Sequence, residues 1–342
     1  MPPTRLTKLK TYHIDDGAKR GPMTMSQVRF HPTERFLYAA TADRRVAMWN
    51  LDDKELTVKN LTAVTGKLVC PHDAGWVRCL DVSSDGKWLA TGGSDRRLKL
   101  WPFAGGKPAD NPTHDTEAHA GWVEGLAFSP DGKFLVTGGA DLAVRVWNAA
   151  DLTPVKSLTG HTGFLRDVAW LPDGSAFVTG AEDGKLLVWD AKALSLVRMI
   201  TFGGANEQFG QNPSLSGVHR LHVSRDGKFL AAAGGKTLTV FDLATGTPVA
   251  EDKSDAQVCF SPKDDLLAAG SNNAKVVAYD STRFVPAKAD KNGKLGNPGA
   301  IPGKELAQIK LGDFSLGMRF SADGKLLGLG RADGKVEVWE GV

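Results

Sequence analysis

Cysteine is scarce: three residues in 342, at Cys70, Cys79 and Cys259, with no CxxC pair among them. Cys79 and Cys259 fall inside strand-like apolar runs, so the set reads as small buried hydrophobes in a reducing compartment, not a disulfide frame or a metal site. Charge of one sign is also lacking. The net charge is +3, a balance that does not by itself argue for nucleic acid. No apolar run approaches the length needed to cross a bilayer. The opening MPPTRLTKLKTYHIDDGAKR has no continuous apolar segment of the kind a signal peptide carries. The expectation is a soluble cytoplasmic protein that engages no membrane. GxSxG, HExxH and zinc-spaced cysteines are missing too, so neither catalysis, nor a metal, nor a cofactor is expected. Glycine is plentiful, with 39 residues, but shows no three-residue period, which excludes collagen.

Hydrophobic residues supply 42% of the chain, enough for a sizeable core and too many for disorder. They are distributed in a repeat. The stretch from Leu126 to Asn148, LAFSPDGKFLVTGGADLAVRVWN, reads as strand, Asp-Gly turn, strand, turn with Asp, and strand ending in Trp. The closing aromatic recurs at Trp49, Trp101, Trp147, Trp189, Phe241, Tyr279 and Trp339, which defines seven units. The first turn is written SSDGK at Ser83, SPDGK at Ser129, LPDGS at Leu171, SRDGK at Ser224 and SADGK at Ser321, with HPTER from His31 and SPKDD from Ser261 as variants. Asp-Gly between alternating apolar runs is a strong hairpin signal, because Gly accepts positive φ without steric cost. An Asp stands six residues before the aromatic at Asp43, Asp95, Asp141, Asp183 and Asp333, where the fifth and sixth units have Gly235 and Asn273. Gly/Pro/Asn/Lys-rich insertions are expected at roughly 104–117, 202–214 and 281–305.

This repeat resembles the WD40 family over nearly the entire chain; the unit spacing of about 48 residues lies slightly above the ~40–45 of such blades. The resemblance implies an all-β fold: a seven-bladed β-propeller of four-stranded antiparallel blades forming a single domain over 1–342. Blade cores fall at approximately 24–50, 76–102, 122–148, 164–190, 217–242, 254–280 and 314–340. The last unit stops one strand short, and residues 5–14, strand-like and without a unit of their own, are expected to supply the outer strand of the last blade and close the ring.

The resemblance also implies a buried network in each complete blade. Three units carry it: His72, Thr91, Asp95 and Trp101; His119, Thr137, Asp141 and Trp147; His161, Thr179, Asp183 and Trp189. The loop after His72 is one residue longer than its counterparts. The chemistry is coherent on its own: an indole N–H wants an acceptor, a Thr hydroxyl can accept it and donate to imidazole, and the other ring nitrogen can donate to carboxylate. A Thr–His–Asp hydrolase triad would use the same residue types, but three copies at blade spacing speak for scaffolding. Gly234-Gly235-Lys236-Thr237 mimics the end of a phosphate-binding loop, yet Leu230 stands where the first Gly should be, so it reads as a turn.

Function on such a fold must be argued from a site. The resemblance implies that paired positions at the start of each first strand face a central channel entrance. They are Trp76 and Arg78, Trp122 and Glu124, Phe164 and Arg166, Phe314 and Leu316, against Thr24 and Ser26, Gly217 and His219, Ser254 and Ala256 in the other units. One arc thus carries aromatics and arginines, the residues that dominate binding hot spots, although an aromatic there also belongs to the family's general pattern and can simply cover the core. Arg44-Arg45 and Arg96-Arg97 follow the turn Asp in adjacent units and suit carboxylates or phosphates, or are solvated turns. The lysines of the Asp-Gly-Lys turns belong to the opposite face. The leading expectation is a non-catalytic scaffold for a protein or peptide partner, monomeric or part of a larger complex. The alternatives are a propeller enzyme or small-ligand binder, such as a lactonase-like hydrolase, and binding of nucleic acid or an acidic partner through the arginine sector.

Overall fold

A computed structural model describes residues 6–13, 24–53, 56–58, 61–65, 67–202, 217–234, 237–252, 257–263, 265–271, 275–284, 299–300, 307–310 and 315–341. Among them there is no α-helix; a single 3₁₀ turn, Ser281–Arg283, interrupts the strands. The fold is a β-propeller of four-stranded antiparallel blades.

The Asp-Gly turns explain why each unit begins as a hairpin. In the third unit Ser129 Oγ donates to Asp131 at 2.7 Å, the Lys133 N–H donates to the same carboxylate at 3.1 Å, and the Phe134 N–H donates to Ser129 Oγ at 2.9 Å. Side chains thereby satisfy the backbone where the ladder stops. Gly132 takes φ 71° between them, a region closed to most L-residues. The same Ser–Asp arrangement recurs at Ser83, Ser224 and Ser321.

Each unit then forms its own meander. In the third, strands Val123–Phe128, Phe134–Gly139, Val144–Asn148 and Pro154–Leu158 pair in that order. Burial falls from the first strand, wholly buried, to the last, almost wholly exposed. The fourth unit repeats this with Leu165–Trp170, Ala176–Ala181, Lys185–Asp190 and Ser195–Thr201. The second uses Val77–Val82, Trp88–Gly93, Arg97–Ala104 and His114–Glu117. Part of the expected 104–117 insertion is therefore the blade's own outer strand. The first unit closes with the short Lys67–Val69, after a hairpin of Leu56–Val58 and Leu61–Thr65 that nothing in the repeat announced. The fifth and sixth end in Pro248–Asp252 and Ala307–Lys310. In the last unit Lys335–Gly341 pairs antiparallel with Leu6–His13. Most of the expected 202–214 and 281–305 insertions lie outside the described residues; Gly299–Ala300 pairs parallel to Pro248–Asp252.

The core lies between blades. Cys79, Ala90, Leu98 and Leu100 of the second unit pack with Leu126, Phe128, Leu135 and Trp147 of the third. Met25, Val28, Leu37 and Trp49 of the first pack with Leu326, Val336 and Val338 of the last. The Thr-Gly-Gly of the second strands fits this packing. A Cβ on Gly92 would sit 2.6 Å from Val123 Cγ1 of the next blade, and one on Gly93 would sit 2.6 Å from His72 Nδ1. Small residues here let the neighbouring blade and the imidazole approach.

Candidate functional site

The three expected His–Thr–Asp–Trp sets are each brought together. Trp101 Nε1 donates to Thr91 Oγ1 at 2.9 Å, His72 Nε2 lies 2.9 Å from the same hydroxyl, and His72 Nδ1 lies 2.9 Å from Asp95. The distances for Trp147, Thr137, His119 and Asp141 are 2.9, 2.8 and 2.8 Å. For Trp189, Thr179, His161 and Asp183 they are 2.9, 2.8 and 3.2 Å. The extra residue after His72 is absorbed by Gly75 at φ 67°. Each Asp also accepts a backbone N–H from the incoming loop, at Asp73, Ala120 and Thr162, so the set ties the loop between blades to the turn within one.

Electrostatics follow the bonding. Burial alone would raise the Asp183 carboxyl, but the hydrogen bond from His161 and the Thr162 N–H outweigh it and hold it at about 2. Asp141 and Asp95 are likewise held below the ordinary carboxylate value. Burial lowers the His119 pKa against the pull of Asp141, and the nearby Arg145 lowers it further, so the imidazole is neutral. A hydroxyl fixed by an indole and a neutral imidazole, with both His nitrogens engaged, holds the backbone in place.

The last blade departs from this pattern, and the repeat gave no sign of it. Leu329 stands at the Thr position, and Trp339 Nε1 donates instead to Glu337 at 3.1 Å. Glu337 is buried and accepts from Arg331 at 2.6 Å and from Lys8 at 2.8 Å, while Arg331 also reaches Asp333 at 2.7 Å. Lys8 comes from the opening strand, so this charged cluster ties the two chain ends together.

The aromatics just before three of the first strands are displayed. Trp76, Trp122 and Phe164 are 48%, 45% and 42% exposed, among the most exposed large apolar side chains. The Arg78 guanidinium lies 4.0 Å from the Trp122 ring centroid and 5.4 Å from that of Trp76. Such stacking contributes about 0.5–2 kcal/mol. Its Nε donates to Ser94 at 2.8 Å, and its Nη1 lies 3.1 Å from the buried Glu124. Arg166 approaches the other Glu124 oxygen at 3.2 Å and also pairs with Glu182. Trp76, Arg78, Trp122, Glu124 and Arg166 thus form one connected patch across three blades, with Phe164 beside Arg166 in sequence. Phe314, and the side chain of Leu316, lie outside the described residues, as do Ser254 and Ala256.

The arginine turns carry their own counter-charges. Arg45 pairs with Asp43, Arg96 with Glu117 at 3.2 Å and Arg97 with Asp115 at 2.5 Å. Arg44 is exposed at φ 60°, and Arg96 takes φ 67°. Gly235 and Lys236, of the phosphate-loop mimic, lie outside the described residues, and Asn273 does too.

Between the fifth, sixth and first units stands a residue that no motif marked. Arg220, on Arg220–Val223, donates to the Ser26 carbonyl at 3.0 Å, its neighbour His219's carbonyl at 2.9 Å and Gln257 at 3.3 Å. It reaches from the fifth unit to the first. Deeper along the same strands, Arg29 pairs with Asp81 at 2.7 Å. Among the described residues, no three His, Cys, Asp or Glu side chains are grouped to hold a metal ion, and no helix is long and apolar enough to cross a membrane.

Radial four-stranded blades tied by repeated His–Thr–Asp–Trp networks define a repeat propeller. The sequence profile described as "WD domain, G-beta repeat" matches residues 17–50, 65–102, 110–148 and 152–190. The chain belongs to the WD40-repeat family. It is 37% identical over 82 residues to a guanine nucleotide-binding protein subunit beta of Zea mays, covering 24% of this chain and 20% of that protein. It is 32% identical over 83 residues to elongator complex protein 2 of Homo sapiens, covering 23% and 10%. Over 45 residues it is 49% identical to ribosome biogenesis protein ERB1 of Mycosarcoma maydis, covering 13% and 5%. These matches span a fifth or less of the relatives' lengths.

Proposed function

We propose that this chain is a non-catalytic scaffold that binds a protein or peptide through the aromatic arc at its channel entrance. The ring on which the arc stands has seven blades and is closed by the opening strand. Support for the ring comes from the separate sheets formed by the units, the pairing of Leu6–His13 with Lys335–Gly341, and the packing of the first unit against the last. Similarity to subunits and factors whose names place them in assemblies supports an interaction role.

The observation that carries the site is the exposed Trp76–Arg78–Trp122 stack. Indoles at nearly half exposure on a rigid strand start offer large area at small entropy cost on binding. Arg78 and Arg166 are neutralised by Glu124 and Glu182, so the surface offered is aromatic and internally balanced, not a cationic sink. The partner expected is an apolar or aromatic segment with a few polar anchors. Arg44 and Arg96, each on the left-handed residue after its unit's turn Asp, are proposed as further polar anchors. No observation favours the hydrolase alternative: Glu124 is held between two arginines.

The test is quantitative affinity capture with the wild-type chain and a Trp76→Ala/Trp122→Ala variant. The variant is expected to melt within a degree or two of wild type, because these rings are half exposed, and to lose the partners that wild type enriches, by tenfold or more where a hot spot is removed. Identical partner sets from both baits would dismiss the arc.

A further inference from the structure

At the end of the channel opposite the aromatic arc lies a second chamber, of about 230 Å³, lined by residues of five units. Its walls are apolar: Phe30, Phe260 and Phe320, with Pro32 and Pro262. Into this low-polarity space the chain places Arg29, Arg319 and His222, with Asp81 as the acidic member. The layer of Arg220, Gln257 and the Ser26 carbonyl crosses the channel between this chamber and the entrance.

The charges do not balance. Both Asp81 oxygens are committed, one to Arg29 Nε at 2.7 Å and the other to the Phe128 N–H at 3.0 Å. Arg29 Nη1 donates to the Val28 carbonyl at 2.9 Å, which leaves Nη2. Arg319 enters no ion pair among the described residues. Burial and repulsion from Arg29 pull its pKa down to about 10, so it stays charged at neutral pH. His222 Nδ1 lies 3.2 Å from the Phe260 amide nitrogen and 3.1 Å from the Val223 carbonyl oxygen. The ring is neutral because burial, Arg319 and Arg29 all lower its pKa. A part-buried guanidinium that forms no ion pair of its own is stabilised when an anion joins it.

We propose that this chamber is a binding site for a small tetrahedral oxyanion of the phosphate or sulfate class, held by Arg319 and Arg29 Nη2 beside the His222 ring. Guanidinium donors arriving from two blades, with the His222 ring of a third beside them, suit an oxyanion with acceptors on every side better than a planar carboxylate, and charge-assisted bonds from arginine forks are the strong ones. The site is independent of the partner-binding arc.

The experiment titrates the full chain with inorganic phosphate, sulfate or acetate in a buffer free of other oxyanions. Heat of binding and the His222 ring resonances are followed together. The expected result is saturable one-site binding of phosphate or sulfate below millimolar concentration, with the His222 signals moving along the same isotherm. Arg319→Gln is expected to weaken binding at least tenfold, and to melt no lower than wild type without phosphate because it removes a part-buried charge that forms no ion pair among the described residues. Lys192→Gln, on an exposed turn, keeps wild-type binding. Failure of phosphate and sulfate to bind, His222 signals that stay still in wild type, undiminished binding by Arg319→Gln, or acetate binding as well as phosphate would each overturn the assignment.

Discussion

At the scale of single residues, Asp141 shows how one carboxylate organises its surroundings. It accepts from His119 at 2.8 Å, from the Ala120 N–H at 2.9 Å and from Arg145 at 2.7 Å. Asp141→Ala strands these donors, and a buried donor left unsatisfied costs about 1–3 kcal/mol. A thermal melt is expected to fall by several degrees; an unchanged melt would refute a scaffolding role for the carboxylate. One residue on, Leu142 sits at φ 68°, where the fourth and last units use Gly184 at φ 70° and Gly334 at φ 78°. Left-handed backbone costs a non-glycine residue about 1–2 kcal/mol, partly offset by the entropy glycine loses on folding. Leu142→Gly is therefore expected to raise the melting temperature slightly, by the equivalent of up to about 1 kcal/mol. Arg96 takes the same left-handed φ at the equivalent turn position, a strain that the sequence did not announce.

At the scale of elements, the repeat made the hairpins and the network legible, because each depends on contacts within one unit. Ser129 finds Asp131 two residues away, and Thr137 meets Trp147 across one strand pair. The hairpin at 56–65 and the Glu337 cluster follow no repeat position, so pattern reading passes over them. The opening strand is a different case, since its pairing joins residues more than 300 apart, as Lys8 and Glu337 are by 329. Deleting residues 1–14 exposes the Lys335–Gly341 edge and removes one partner of the buried Glu337. The expected outcome is a cooperative loss of stability across the chain, read by circular dichroism melting, together with a tendency to associate through the bare edge. A truncated chain that melts like the parent would remove the closure proposal.

At the scale of the molecule, acid response collects the network's electrostatics. His119 is lowered from 6.5 in the folded chain. Below pH 6.5 the unfolded state therefore takes up a proton that the folded state refuses, and stability declines. Asp183 is lowered from 3.8 to about 2, with Asp141 and Asp95 shifted the same way. Their stabilisation is present above pH 4 and is lost as pH falls through the folded values. Melting temperatures measured from pH 7 to pH 2 are expected to fall gently at first and steeply below pH 4. A flat profile down to pH 3 would contradict the neutral-imidazole, ionised-carboxylate description.

The amino-acid order by itself determined the unit: an Asp-Gly turn, the alternating strands on either side of it and a closing aromatic, while the joining of Thr, His, Asp and Trp was what the family resemblance implied. Those features rest on short-range hydrogen bonding and strand alternation, which the order of residues writes directly. Only the tertiary structure decided what meets around the axis. Arg78 stands between Trp76 and Trp122, Arg220 reaches Ser26 across 194 residues, and Arg319 shares a chamber with Arg29 and His222. Those encounters arise because blades bury their faces only against neighbours, and that radial packing turns the first strands of distant units toward a common centre.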